Sequence, residues 1–248
     1  LLVSILPSYM SRSTNGHYDN EATSIFAIIN SFYWFVKLMR TGSMGDGFFL
    51  VLSYYYMVLN WGGYVFVLGS ISLFALFMLF TGRLDSKVYL AFSMFYVLGT
   101  LFAGLVPFVY YKALWRSTEH MVSHFTFILV QGYWIRSTLQ ARLSEEKFEA
   151  LSKVVFTGLG AFFVLGLIYA VLSGKATQSY RVMSLLNPFY SKKKHPLVAS
   201  ISEHRATSWP YYMADVHMSI FFAPLGAYVC LARRLNPRTI FMALFCLS

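Results

Sequence analysis

The chain has 248 residues, of which 57% are hydrophobic and 12% charged, against roughly 25% charged in an ordinary soluble domain. A soluble core of this size has no room for so much apolar surface, so the bilayer is the expected solvent. The net charge of +10 lies in short basic runs between apolar segments, which fits membrane flanks and excludes a nucleic-acid footprint as its main cause.

A spanning helix needs about 20 apolar residues. The loop Pro7 to Glu21 comes first, and the first candidate span is Ala22 to Leu38. The apolar stretch Phe48 to Phe80 is too long for one crossing, since at about 1.5 Å per residue a single helix overruns a ~30 Å hydrocarbon core. Asn60-Trp61-Gly62-Gly63 near its middle is a turn signal. The stretch therefore divides into Phe48 to Leu59 and Tyr64 to Phe80. Val88 to Val106, Val122 to Leu139 and Val154 to Leu172 follow, then a long loop from Ser173 to Pro210, then Tyr211 to Leu231. The fold class is all-α, a polytopic membrane helix bundle. Leu143 to Leu151, with Glu145, Glu146 and Glu149 beside Arg142, Lys147 and Lys153, reads as a solvated cytosolic helix between two spans.

With that division, six crossings separate the loops 7–21 and 173–210 and put both on one side. An undivided helix would put them on opposite sides. Lys37, Arg40, Arg83, Lys87, Arg136, Arg142, Lys147, Lys153, Arg233, Arg234 and Arg238 then share one face, against Arg12, Lys112 and Arg116 on the other. The positive-inside rule makes the first face cytosolic, setting aside the long loop. Cys230 and Cys246 lie in apolar runs and match no metal or redox spacing. Leu1 opens inside an apolar run and the last run, Thr239 to Ser248, is too short to span, so both ends are expected to be cut.

Few residues can carry chemistry. Asp19-Asn20-Glu21 follows an aromatic-polar loop and precedes a span. Two carboxylates at this spacing can share a hard cation such as Mg²⁺ or Mn²⁺. The same residues also favour a helix start, and on spacing alone capping is the commoner role. Ser200-Ile201-Ser202-Glu203-His204 lies near the end of the long loop, which parity puts on the side of Asp19 and Glu21. His120 and His124, at i and i+4, lack the Glu that a zincin helix needs after its first His, and they read as interfacial histidines. Lys192-Lys193-Lys194-His195 is either a solvated loop or an attractor for an anionic lipid pyrophosphate.

Several stretches in order resemble the catalytic subunit of oligosaccharyltransferase: Tyr9-Met10-Ser11-Arg12-Ser13, Tyr18-Asp19-Asn20-Glu21, Trp61-Gly62-Gly63-Tyr64-Val65-Phe66, Tyr96-Val97-Leu98-Gly99-Thr100, and Ala199-Ser200-Ile201-Ser202-Glu203-His204 with Thr207-Ser208-Trp209. The resemblance implies a GT-C glycosyltransferase bundle with a lumenal cleft in the endoplasmic reticulum membrane. It implies en bloc transfer of an oligosaccharide from dolichyl pyrophosphate to Asn of Asn-x-Ser/Thr in nascent or unfolded polypeptide, alongside partner subunits. By resemblance Asp19 and Glu21 hold a divalent Mg or Mn, Arg12 stands beside them, and Glu203 hydrogen-bonds the acceptor amide. Ser200, Ile201, Ser202 and Glu203 line the acceptor peptide, and Trp61, Gly62, Gly63 and Tyr64 lie near the lipid-linked donor. Arg205-Ala206 departs from the family's usual Gln-Pro. The family's first acidic motif and its soluble domain have no counterpart in these residues, so this stretch alone is expected to be inactive. The rivals are another dolichol-dependent GT-C enzyme and a multi-pass transporter, which predicts inverted repeats and charges within spans.

Overall fold

The computed structural model describes residues 7–13, 20–110, 114–115, 117–150, 153–154, 157–158, 161, 165, 209–217, 219–233 and 236–247. The helices are α1 (Pro7–Ser13), α2 (Asn20–Thr41), α3 (Met44–Asn60), α4 (Tyr64–Phe80), α5 (Ser86–Gly104), α6 (Thr118–Gln140), α7 (Trp209–Val216), α8 (Ser219–Arg233) and α9 (Pro237–Leu247). Among the described residues there is no strand.

Local chemistry sets the helix boundaries. The Asp85 side chain accepts from the Val88 amide at 2.7 Å and starts α5. At the end of α4, Gly82 takes φ +65, its amide bonds to Leu79 O, and the Arg83 amide reaches back to Met78 O. This is a glycine-closed helix end of the Schellman type. Asn236 starts α9: its Oδ1 accepts from the Thr239 amide at 3.0 Å, and its own amide donates to Thr239 Oγ1 at 3.2 Å. This reciprocal pair satisfies two otherwise orphaned donors.

Helices α2 to α6 run alternately down and up, as cross-helix contacts show. Asn20 meets Asn60 at one end, and Lys37 meets Asp46 at the other. Lys87 Nζ donates to Arg40 O at that second end, Tyr54 packs on Phe95 between the ends, and Tyr64 meets His120 at the first. The predicted break at Asn60 to Gly63 is therefore present. α3 stops at Asn60, where the Trp61 amide bonds to Met57 O with Trp61 extended, and α4 restarts at Tyr64.

The second end carries Lys37, Arg40, Arg83 and Lys87. Its Asp46 bridges to Lys37 at 3.1 Å and accepts from the Thr41 hydroxyl. The Thr41 hydrogen bond holds the Asp46 carboxyl below the usual carboxylate range, with Lys37 and Arg40 adding to it and desolvation opposing. Residues 145–150 are helical beyond this end, and Lys153 pairs with Glu149 at 2.7 Å, as a solvated connecting helix would.

The core is aromatic. Phe35, Phe74, Phe92 and Phe95 are buried, and Phe241 of α9 inserts against Phe32, Phe35 and Phe74 with ring centroids 5.0–5.4 Å apart. The outer faces remain apolar, with Phe26, Leu73, Leu101 and Ile128 all exposed, a pattern suited to a hydrocarbon surround. Among the described residues, α2 and α5 are each long and apolar enough to cross a membrane, while Tyr64–Phe80 and Phe221–Cys230 are shorter apolar helices.

The span expected over Tyr211 to Leu231 is not one helix. It divides into α7 and α8, because His217 turns to φ +51 while its amide bonds back to Met213 O. Polar residues such as His adopt this left-handed backbone more readily than apolar ones. The span expected at Val154 to Leu172 and the loop Ser173 to Pro210 lie largely outside the described residues.

Candidate functional site

Of the residues that the sequence singled out, the Asn20 end of the bundle holds Glu21, the Trp61–Tyr64 turn, His120 and His124. Glu21 occupies the first turn of α2 and is half-buried. This placement complements the partial positive charge of the helix start. Across from it, Asn60 closes α3 and ties the two elements together. Asn20 Nδ2 donates to Asn60 O at 3.0 Å, Thr23 Oγ1 donates to Asn60 Oδ1 at 3.1 Å, and Asn60 Nδ2 donates to Tyr56 O at 2.6 Å. The Trp61–Tyr64 turn therefore begins beside the helix start that carries Glu21.

Within that turn the Trp61 ring lies over Gly63. A Cβ on Gly63 would come within 2.2 Å of the indole, whereas one on Gly62 would meet nothing within 4 Å. Gly63 thus permits the close approach, and the Trp61 side chain is left 37% exposed at the bundle end.

Tyr64 leads into a polar cluster that sequence spacing did not show. Its hydroxyl meets His120 Nε2 at 3.2 Å, and Ser117 Oγ meets His120 Nδ1. One turn on, His124 Nε2 lies 2.8 Å from Leu114 O. A carbonyl can only accept, so Nε2 donates there, and Nδ1 pairs with the Tyr96 hydroxyl. His124 also stacks on Trp115, with centroids 4.8 Å apart. The i, i+4 spacing of the histidines was the available signal. It placed both rings on one helix face but could not name Tyr64 and Tyr96 as their partners.

Arg12 falls on α1, whose backbone is described. Asp19, Ser200, Ile201, Ser202 and Glu203 lie outside the described residues. The structure thus brings Glu21 and Trp61 to Tyr64 to one end. Among the described residues no group of three His, Cys, Asp or Glu side chains is clustered to hold a metal. Glu21 offers oxygen donors of the kind a hard divalent cation takes.

An all-helical bundle with an apolar exterior, a basic end and a polar end holding carboxylate and aromatic groups defines a polytopic membrane protein. The family described as Oligosaccharyl transferase STT3, N-terminal, matches residues 1–246, and the chain belongs to that family, whose members are polytopic GT-C enzymes. The chain is 39% identical over 236 residues to the dolichyl-diphosphooligosaccharide–protein glycosyltransferase subunit STT3A of Oryza sativa subsp. japonica, covering 92% of this chain and 30% of the relative. It is 37% identical over 252 residues to subunit STT3B of Arabidopsis thaliana, covering 100% and 34%. It is 36% identical over 250 residues to subunit STT3 of Dictyostelium discoideum, covering 98% and 34%. The chain spans about a third of the length of these curated relatives.

Proposed function

We propose that this chain supplies the membrane-embedded part of a catalytic cleft that transfers an oligosaccharide en bloc from dolichyl pyrophosphate to the asparagine of Asn-x-Ser/Thr. The observation that carries this is the family match along residues 1–246. The joining of the Glu21 helix start to the Trp61–Tyr64 turn through Asn60 supports it. The cleft faces the lumen of the endoplasmic reticulum. The basic end with Lys37, Arg40, Arg83 and Lys87 faces the cytosol, as the positive-inside rule requires. The enzyme works beside other oligosaccharyltransferase subunits and within membrane lipid.

In this reading Asp19 and Glu21 hold a divalent Mg or Mn, with Arg12 adding positive charge nearby. A bound cation offsets the negative charge that develops on the pyrophosphate leaving group. Trp61, Gly62, Gly63 and Tyr64 present an apolar and aromatic wall to the donor lipid. Ser200, Ile201 and Ser202 run along the acceptor peptide, and the Glu203 carboxylate accepts a hydrogen bond from the acceptor amide NH₂. Together with a second carboxylate on the other N–H, supplied from outside these residues, that bond turns the NH₂ out of the conjugation that makes an amide nitrogen a poor nucleophile. The asparagine nitrogen then forms a bond to the anomeric carbon and gives up a proton to the Glu203 carboxylate. The carbon–oxygen bond to pyrophosphate breaks, and dolichyl pyrophosphate leaves with the electron pair.

The test is glycopeptide formation by the full-length protein in its complex, with an Asn-x-Thr peptide and a lipid-linked oligosaccharide, over a Mn²⁺ titration. Asp19→Ala and Glu21→Ala should lose activity and partly recover with excess Mn²⁺, since each removes a hard oxygen ligand. Glu203→Gln should lose turnover without recovery, since it weakens an acceptor that acts in the transition state. Transfer of one sugar from a dolichyl-phosphate monosaccharide, with none from the oligosaccharide donor, overturns the substrate assignment. Equal rescue of Glu203→Gln overturns the division of roles.

A further inference from the structure

At the basic end, far from the Asn60 turn, α2 and α9 enclose a cavity of about 460 Å³. Its α2 wall is one helix face, with Tyr33, Val36, Lys37 and Arg40 at helical spacing, and Arg238 and Met242 face it from α9. The Phe241 contacts with Phe32 and Phe35 fix the register of the two helices. They set Arg238 level with Lys37 and Arg40 at the bundle end, and Met242 level with Tyr33 toward the middle.

The cavity is therefore graded along the helix axis. Its inner part is apolar, with Tyr33 and Met242 exposed, and its outer part is cationic. The Lys37 ammonium is balanced by Asp46 at 3.1 Å and also lies 4.3 Å from the centre of the Trp34 ring. Arg40 and Arg238 have no carboxylate bridge among the described residues. Two guanidiniums thus line the cavity, and Lys37, Arg40 and Arg238 outnumber Asp46, the carboxylate that feels both Lys37 and Arg40. Lys87, bonded to Arg40 O, adds a further cation nearby.

We propose that this cavity binds the phosphate headgroup of an anionic phospholipid drawn from the leaflet at this end, with its acyl chains along Tyr33 and Met242. The phosphate oxygens accept from Arg40 and Arg238, whose planar forks suit them. The apolar inner wall distinguishes a lipid from a soluble phosphate, which has no chain to place there. Basic pockets between spanning helices are a recurrent setting for anionic headgroups. The site is separate from the donor end and does not depend on the glycosyltransfer reading.

The test uses the full-length protein in detergent micelles, titrated with phosphatidylserine, phosphatidylcholine or inorganic phosphate, with bound molecules counted by native mass spectrometry. The expected result is one phosphatidylserine bound in preference to phosphatidylcholine. In the double variant Arg40→Gln/Arg238→Gln its affinity falls about twenty-five-fold, from the roughly five-fold that each basic residue contributes at an anionic surface. The variant Arg40→Lys/Arg238→Lys keeps both charges and should stay within about five-fold of the parent, which separates a lost charge from a misfolded chain. Equal binding of phosphatidylcholine, or an unchanged phosphatidylserine affinity in the glutamine variant, overturns the proposal. Displacement of the lipid by millimolar inorganic phosphate overturns the lipid assignment in favour of a soluble phosphate.

Discussion

Tyr64→Phe is the most direct perturbation of the polar cluster behind the Trp61 turn. It removes one hydroxyl and keeps the ring, which packs on Tyr54 and His120 at centroid distances of 6.2 and 5.7 Å. Interhelical hydrogen bonds in membrane proteins contribute about 0.6 kcal/mol on average and ~1.7 at most. Deleting the partner of a buried polar group where water cannot replace it costs about 1–3 kcal/mol. His120 is 3% exposed, which favours the larger figure. The 3.2 Å separation is long for a hydroxyl to ring nitrogen contact, and Ser117 still holds the other nitrogen, which favours the smaller. The two considerations meet at about 1 kcal/mol. The assay is reversible unfolding of the full-length protein in detergent, run as a double-mutant cycle of Tyr64→Phe with His120→Leu. A coupling near that figure is expected. Additivity within about 0.3–0.5 kcal/mol would refute the bond as a fastening of α4 to α6. If the Trp61–Tyr64 turn faces the donor as proposed above, the KM for lipid-linked donor should rise while the KM for the acceptor peptide stays unchanged.

The two adjacent glycines give an internal control: Gly63→Ala must displace the Trp61 indole, while Gly62→Ala meets nothing. The first should therefore weaken donor binding with little change in unfolding, and the second should leave both intact, as donor titration and thermal unfolding would show. Gln131→Leu breaks two bonds between α5 and α6, from Tyr89 OH at 2.7 Å and to Ser93 Oγ at 2.8 Å. It should destabilise the bundle by roughly 1 kcal/mol, at about 0.6 per bond, and an unchanged unfolding midpoint in detergent would contradict this. Asp46 has a depressed folded-state carboxyl pKa, so its contribution to stability is present above its unfolded pKa and is lost as pH falls through the folded value. Asp46→Asn should lower stability near neutral pH and flatten the loss on acidification below about pH 4, which unfolding at several pH values would reveal.

The turn at Asn60 was legible because it rests on local chemistry. Two glycines and an asparagine interrupt an apolar run that exceeds one bilayer thickness, and the structure ends α3 and restarts α4 at those residues. The alternation of basic and polar ends was legible for a related reason, since charge avoids hydrocarbon whatever the packing. His217 was harder: its left-handed backbone breaks an apolar run without glycine or proline at the break.

The packing faces were not legible, and the cause is physical. A sequence reveals a buried face when polar residues mark the opposite one. In α4 the residues Leu73, Phe77 and Phe80 are exposed while Phe74, Ile71 and Met78 are buried, so both faces are apolar. With no polar side, hydropathy leaves the rotation of the helix about its own axis undetermined. That rotation is set instead by a few polar atoms that must find partners away from water. Ser72, fully buried in α4, bonds Ser123 of α6 at 2.9 Å, and Asn30 of α2 bonds Ser53 of α3 at 2.6 Å. The cluster of Tyr64, His120, Tyr96 and His124 belongs to the same class. In sequence these appear as isolated polar residues in apolar runs, and their pairing follows only once neighbouring helices supply the other half. The interhelical polar pairs therefore fix which face of α2 to α6 turns into the bundle, while the aromatic core supplies the bulk of the packing.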